Sequence, residues 1–127
     1  MKRILIVDDA ATVRMYHRVI LESAGYLVEE ALNGIEALEK ALESASAMPF
    51  DLYLVDVNMP KLDGYGFLRE LRQQKIPQQP AIMASTESGA QDEMAAYRAG
   101  ANAYLIKPVQ ASQLLTYVRL ILGEASK

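Results

Sequence analysis

There is no cysteine among the 127 residues of this chain. That excludes disulfides, thiolate catalysis and sulfur-ligated zinc, and it suits a reducing compartment. No apolar run approaches the ~18 residues needed to span a membrane. The run ahead of Asp8-Asp9 is only Ile4 to Val7, too short for a signal peptide, so the expectation is a cytoplasmic protein with no membrane insertion. Basic charge is not in excess: the formal charge is −3 and the pI about 5.1, so no direct nucleic-acid contact is expected. Neither a G-x-G-x-x-G turn nor a Walker-A glycine loop is present, which argues against nucleotide binding. Low-complexity linkers and internal repeats are absent too, and the length suits one domain spanning 1–127. The sole histidine, His17, falls inside a helical segment. It reads as a surface or partly buried side chain, neither phosphodonor nor metal ligand.

What is present is an alternation of short apolar runs with longer amphipathic segments. Ile4 to Val7 is a β-branched run that stops at two aspartates. A helix follows, with Val13, Tyr16, Val19 and Ile20 at helical spacing and Gly25 as its terminator. Tyr26 to Leu32 reads as a less apolar strand, and Asn33 as the N-cap of a helix carrying Ile35, Leu38 and Leu42. Glu43 to Pro49 reads as a surface loop. Phe50 to Val57 is the third strand, Asp63-Gly64 opens a helix with Phe67, Leu68 and Leu71, and Ala81 to Ala84 is the fourth strand. A helix from about Gln91 to Ala99 stops at Gly100, before Ala103 to Ile106 and a last helix from Gln110 to Leu122. Five strand–helix units with strands apolar on both faces predict a doubly wound α/β fold with a parallel sheet. Ligands of such folds bind beyond the carboxyl ends of the strands.

Four strands end in chemistry: Asp8-Asp9, Asp56, Ser85-Thr86 and Lys107. Taken singly, each has an ordinary explanation. Asp8-Asp9 serve equally as helix caps, Asp56 as a turn former before Asn58 and Pro60, Ser85 and Thr86 as loop hydroxyls, and Lys107 as a solvated lysine. Taken together, parallel strands bring them to one edge. Three carboxylates in one crevice call for a cation, and hard oxygen donors suit Mg²⁺. A lysine and a hydroxyl opposite them suit the oxygens of a phosphoryl group, leaving Asp56 as nucleophile for an acyl phosphate.

These residues, with the text around them, resemble the response-regulator receiver family, and most closely its stand-alone chemotaxis-type members. The matching stretches are Ile6 to Asp9, Leu54 to Pro60, Asp63-Gly64, Ile82 to Ser85 and Lys107-Pro108, across Arg3 to Leu122. The spacing fits as well, with 29 residues from Asp56 to Ser85 and 22 more to Lys107. The resemblance implies a flavodoxin-like (βα)5 fold with strand order 2-1-3-4-5. It implies a two-component response regulator that is not an enzyme beyond its own phosphorylation and dephosphorylation.

Residue by residue, the resemblance makes Asp56 the phosphoacceptor, served by a phosphohistidine on a sensor histidine kinase or phosphotransfer protein. Asp8, Asp9, Asp56 and the backbone carbonyl of Asn58 would hold Mg²⁺ (or Mn²⁺). Ser85 and Lys107 would take phosphoryl oxygens. Tyr104 stands at the switch-aromatic position, although an aromatic in an apolar strand is ordinarily core. It would act with Ser85 on a partner face built from the fourth helix, fifth strand and fifth helix, toward a downstream protein target left unnamed. Asn58 and Glu87 occupy positions that tune dephosphorylation, in a pairing similar to fast-turnover members. Thr86 departs from the usual Ala or Gly and points the other way. No output domain is expected in this chain, and Gly123 to Lys127 reads as a frayed terminus. A phosphatase of the haloacid dehalogenase type fits less well, because Asn58 stands where that family needs a proton-transferring Asp.

Overall fold

The structure, a computed structural model, describes residues 1–123; Glu124 to Lys127, and with them most of the expected frayed terminus, lie outside the described residues. Strands and helices alternate in the order β1 (Arg3–Val7), α1 (Ala11–Ser23), β2 (Leu27–Ala31), α2 (Gly34–Ser44), β3 (Leu52–Asp56), α3 (Gly64–Gln73), β4 (Ala81–Ser85), α4 (Ala90–Ala99), β5 (Ala103–Ile106) and α5 (Ala111–Leu122). All strand pairs are parallel, and the sheet order is β2-β1-β3-β4-β5, the doubly wound arrangement expected from the sequence.

Period-two alternation divides each strand between two cores. Leu5, Val7, Tyr53, Val55 and Met83 face α2, α3 and α4, where Phe67, Leu68, Leu71 and Ala96 meet them. Ile4, Ile6, Leu52, Leu54 and Ile82 face the other way, onto Leu21 of α1 and Leu114 and Val118 of α5. This double burial is why β1, β3 and β4 read as continuous apolar runs.

The helix boundaries follow local chemistry. Asn33 accepts the Glu36 N–H at 2.9 Å and Asp63 accepts the Gly66 N–H at 2.7 Å, so both act as side-chain N-caps. Gly100, at φ +116°, closes α4 in the left-handed conformation. α2 runs on to Ser44, so the loop before β3 begins at Ala45 and not at Glu43.

Two helices present faces other than those the apolar spacing predicts. In α1 the buried stripe is Arg14, His17 and Leu21, whereas Tyr16 is 47% and Val19 59% exposed. In α2 the buried residues are Gly34, Ala37 and Ala41, while Ile35 and Leu42 are 46% and 41% exposed. The reason in α2 is fit: small residues let the helix lie close to the sheet and to α3, and larger ones take the flanks. In α1, Arg14 turns inward because the Asp8 carbonyl and Glu30 receive it there.

Candidate functional site

Because β1 and β3 are neighbours and the chain leaves them in opposite directions, a crevice opens between their carboxyl ends. Register brings Val7 beside Val55, Asp56 beside Ala84 and Ser85 beside Ile106, so the residues after these positions share one edge. Backbone hydrogen bonds continue the ladder past the strand ends. Asp8 N–H donates to Ala31 O at 3.1 Å, Val57 N–H to Ala84 O at 3.1 Å and Lys107 N–H to Ser85 O at 2.8 Å.

The lysine at the end of β5 reaches back across β4. Its Nζ donates to Asp8 Oδ2 at 2.7 Å and to Asp56 Oδ1 at 2.9 Å. Asp8 is further fixed by its Oδ1, which accepts the Ala10 N–H at 2.9 Å. Asp8 and Asp56 are buried and Asp9 is exposed at the mouth of the crevice. One carboxylate oxygen from each of the three lies within 4.8 Å of the others, a set of hard donors of the kind and spacing that suits a divalent cation.

Electrostatics follow from three carboxylates facing one ammonium. Burial pushes the Asp56 carboxyl above its usual range; Lys107 pulls it down, and the Asp8 and Asp9 charges add to the rise. For Lys107, burial favours the neutral form, but hydrogen bonds and charge from Asp8 and Asp56 outweigh it and hold the ammonium above its ordinary value. The crevice therefore holds more negative charge than it neutralises, which is what a cation would relieve.

Ser85 is fully buried, and its Oγ accepts the Glu87 N–H at 3.0 Å. The Glu87 carbonyl in turn accepts the Tyr104 hydroxyl at 2.6 Å. Tyr104 is buried and belongs to the core on the α3–α4 side of the sheet, as its place in an apolar strand suggests. Glu87 is thus held through both backbone groups, one by Ser85 and one by Tyr104. The side chains of Asn58, Thr86 and Glu87 are exposed on the same edge.

His17 differs from expectation: it is 3% exposed and therefore buried. It lines a cavity of about 310 Å³ together with Thr86, Lys107, Pro108 and Val109. Burial lowers its pKa, the nearby Lys107 charge adds to this, and Asp8 opposes it. The Lys107–Pro108 peptide bond is cis.

Arg14 escaped the sequence reading altogether. Its Nη1 donates to the Asp8 carbonyl at 2.7 Å, and its Nε to Glu30 Oε1 at 2.7 Å. The signal was present: Arg14, His17 and Leu21 have the 3–4 spacing of a helix stripe, but the apolar residues beside them drew the assignment.

The response regulator receiver domain family matches residues 4–119. The chain belongs to this family. The receiver is 39% identical over 123 residues to the chemotaxis protein CheY of Bacillus subtilis, covering 95% of this chain and 98% of that one. It is 34% identical to the transcriptional regulatory protein ResD of the same bacterium, covering 98% of this chain but only 50% of ResD. The chain thus spans about half the length of some curated relatives it matches. Its fold superposes on Vibrio cholerae chemotaxis protein CheY4 with a TM-score of 0.87 at 34% identity, covering 96% of this chain and 99% of that one. Receivers of this family are signalling domains of two-component systems. Among the described residues no helix is long and apolar enough to cross a membrane.

Proposed function

We propose that residues 1–127 act as a single cytoplasmic receiver whose Asp56 accepts a phosphoryl group from a phosphohistidine on a sensor histidine kinase or phosphotransfer protein. The observation that carries this reading is Lys107 Nζ bridging Asp8 and Asp56, with buried Ser85 on the adjoining strand end. An Asp56 oxygen attacks phosphorus, the P–N bond breaks, and the imidazole leaves with the electron pair. Asp8, Asp9, Asp56 and the Asn58 carbonyl would hold Mg²⁺ (or Mn²⁺), which supplies charge neutralisation at the transferring oxygens. Lys107 exchanges a carboxylate partner for a phosphoryl oxygen, and the Ser85 hydroxyl takes another.

The switch follows from the double hold on Glu87. When the Ser85 Oγ turns to the phosphoryl group it gives up the Glu87 N–H, and the carbonyl that anchors Tyr104 shifts with that loop. The change is passed to the face formed by α4, β5 and α5, where a protein target would read it. Exposure of Asn58, Thr86 and Glu87 leaves the acyl phosphate open to water, which supports short-lived phosphorylation despite the bulk of Thr86. A lifetime of hours at neutral pH would contradict that point.

The test is phosphoryl uptake from a small-molecule acyl phosphate, followed by intact mass. The expected result is one added phosphoryl group, lost on chelation of divalent metal and lost in Asp56→Asn. Equal uptake without metal, or no uptake by the wild type, would overturn the reading.

A further inference from the structure

Four hydrogen bonds fix Asp8, and two of them come from cations. Lys107 holds Oδ2 from the front of the crevice, and Arg14 holds the main-chain carbonyl from behind. The other two are the Oδ1 bond to Ala10 N–H and the backbone bond to Ala31 O. Arg14 is itself braced. Glu30 of β2 accepts from Arg14 Nε and also from Arg18 Nη1, at 2.5 Å, and Arg18 Nη2 donates to the Val28 carbonyl at 3.1 Å. Arg18 also pairs with Glu22 one turn along α1. A guanidinium on the buried stripe of α1, aimed at one carbonyl and locked by a carboxylate on the neighbouring strand, is a built support.

We propose that Arg14, held by Glu30, is a positioning residue that sets the aim of the Asp8 carboxylate toward a bound divalent cation. The inference rests on the reading of Asp8 as a metal ligand. Lys107 is a less constant support, because in the proposed transfer it exchanges a carboxylate partner for a phosphoryl oxygen. The hydrogen bonds of Arg14 go to the Asp8 main-chain carbonyl and to Glu30, neither of which the proposed transfer uses, so its grip on Asp8 persists. A planar guanidinium suits the task, since two of its N–H groups point at two acceptors at fixed angles.

Charge and position make opposite predictions here, which gives the inference a clean test. A cation behind the crevice opposes Mg²⁺ binding, so on charge alone Arg14→Met should tighten it. Through position, the same substitution frees Asp8 and should weaken binding about tenfold, the usual scale for losing support behind a ligand. The paired variant Arg14→Met with Glu30→Gln removes both charges and leaves only the positional effect.

Mg²⁺ affinity measured by calorimetry, on protein shown to be folded by circular dichroism, decides it. The expected result is about tenfold weaker binding in the paired variant and partial recovery with Arg14→Lys, which keeps a donor for the carbonyl. Arg14→Met alone, in which charge alone would tighten binding, should still weaken it, and it serves if the paired variant does not fold. Unchanged or tighter Mg²⁺ binding in these variants, beside a wild type that binds, would overturn this inference and leave the proposed function standing. A wild type that binds no Mg²⁺ would overturn the proposed function, and the inference would fall with it.

Discussion

At the scale of single residues, the crevice is strained electrostatically rather than sterically. Asp56 is buried among carboxylates with one lysine shared between it and Asp8. A carboxyl whose folded pKa is raised binds its proton more tightly folded than unfolded, so its ionised form costs stability at neutral pH. Asp56→Asn should therefore raise the thermal midpoint at pH 7 in the absence of divalent metal, by a few degrees, and added Mg²⁺ should narrow the gap to wild type. A calorimetric scan with and without Mg²⁺ checks this; a lower midpoint in the metal-free variant would contradict it. His17 gives a second case with the opposite sign. Its folded pKa lies below the unfolded value of 6.5, so the unfolded chain takes up the proton first. Its contribution is fully present above pH 6.5 and is lost progressively as pH falls from there toward the folded pKa. Since His17 is the only histidine, its ring-proton NMR titration should show a midpoint below 6.5. The folding stability of His17→Phe should fall less between pH 7 and 5 than that of the wild type. These residues also mark the limit of what the sequence made legible. The placement of Asp8, Asp9, Asp56, Ser85 and Lys107 on one edge was readable because each stands at or just past the end of a strand and the strand ends converge. Arg14 and the burial of His17 were not. Arg14 turns inward because distant partners, Glu30 and the Asp8 carbonyl, receive it there, and such partners are set by the fold rather than by local spacing.

At the scale of elements, α3 shows how a helix start is tied to the site. The Gly64 N–H donates to the Val57 carbonyl at 2.9 Å, which seats the first turn against the end of β3. A Cβ at Gly64 would stand 2.4 Å from the Asp56 carbonyl oxygen and 2.7 Å from Met83 Cε. Met83 can yield, but the main chain of Asp56 cannot without moving the carboxylate proposed as acceptor. Gly64→Ala should destabilise the fold by about 2 kcal/mol, as overpacking does, and should lower the rate of Asp56 phosphorylation. Urea denaturation together with uptake kinetics tests both effects, and normal kinetics in the folded variant would show the seat to be slack. The existence, order and caps of the elements were legible because Asn33, Asp63 and Gly100 act locally. The inward faces of α1 and α2 were not, because periodicity locates an apolar stripe without saying that small residues lie closest to the sheet. In α2, Ala37 and Ala41 are buried while Leu42 is 41% exposed.

At the scale of the whole molecule, function rests on a parallel sheet that places the ends of β1, β3, β4 and β5 on one edge. The two cores hold that edge in register from both faces, so chemistry from residues nearly a hundred positions apart, Asp8 and Lys107, meets at 2.7 Å. The central claim is that Asp56, among all the acids of that edge, takes the phosphoryl group. Borohydride reduction of the freshly phosphorylated protein, followed by peptide mapping, tests it most directly, because an aspartyl phosphate is reduced to homoserine at the modified position. Homoserine at position 56 is the predicted result, and homoserine at Asp8 or Asp9, or none anywhere, would contradict it.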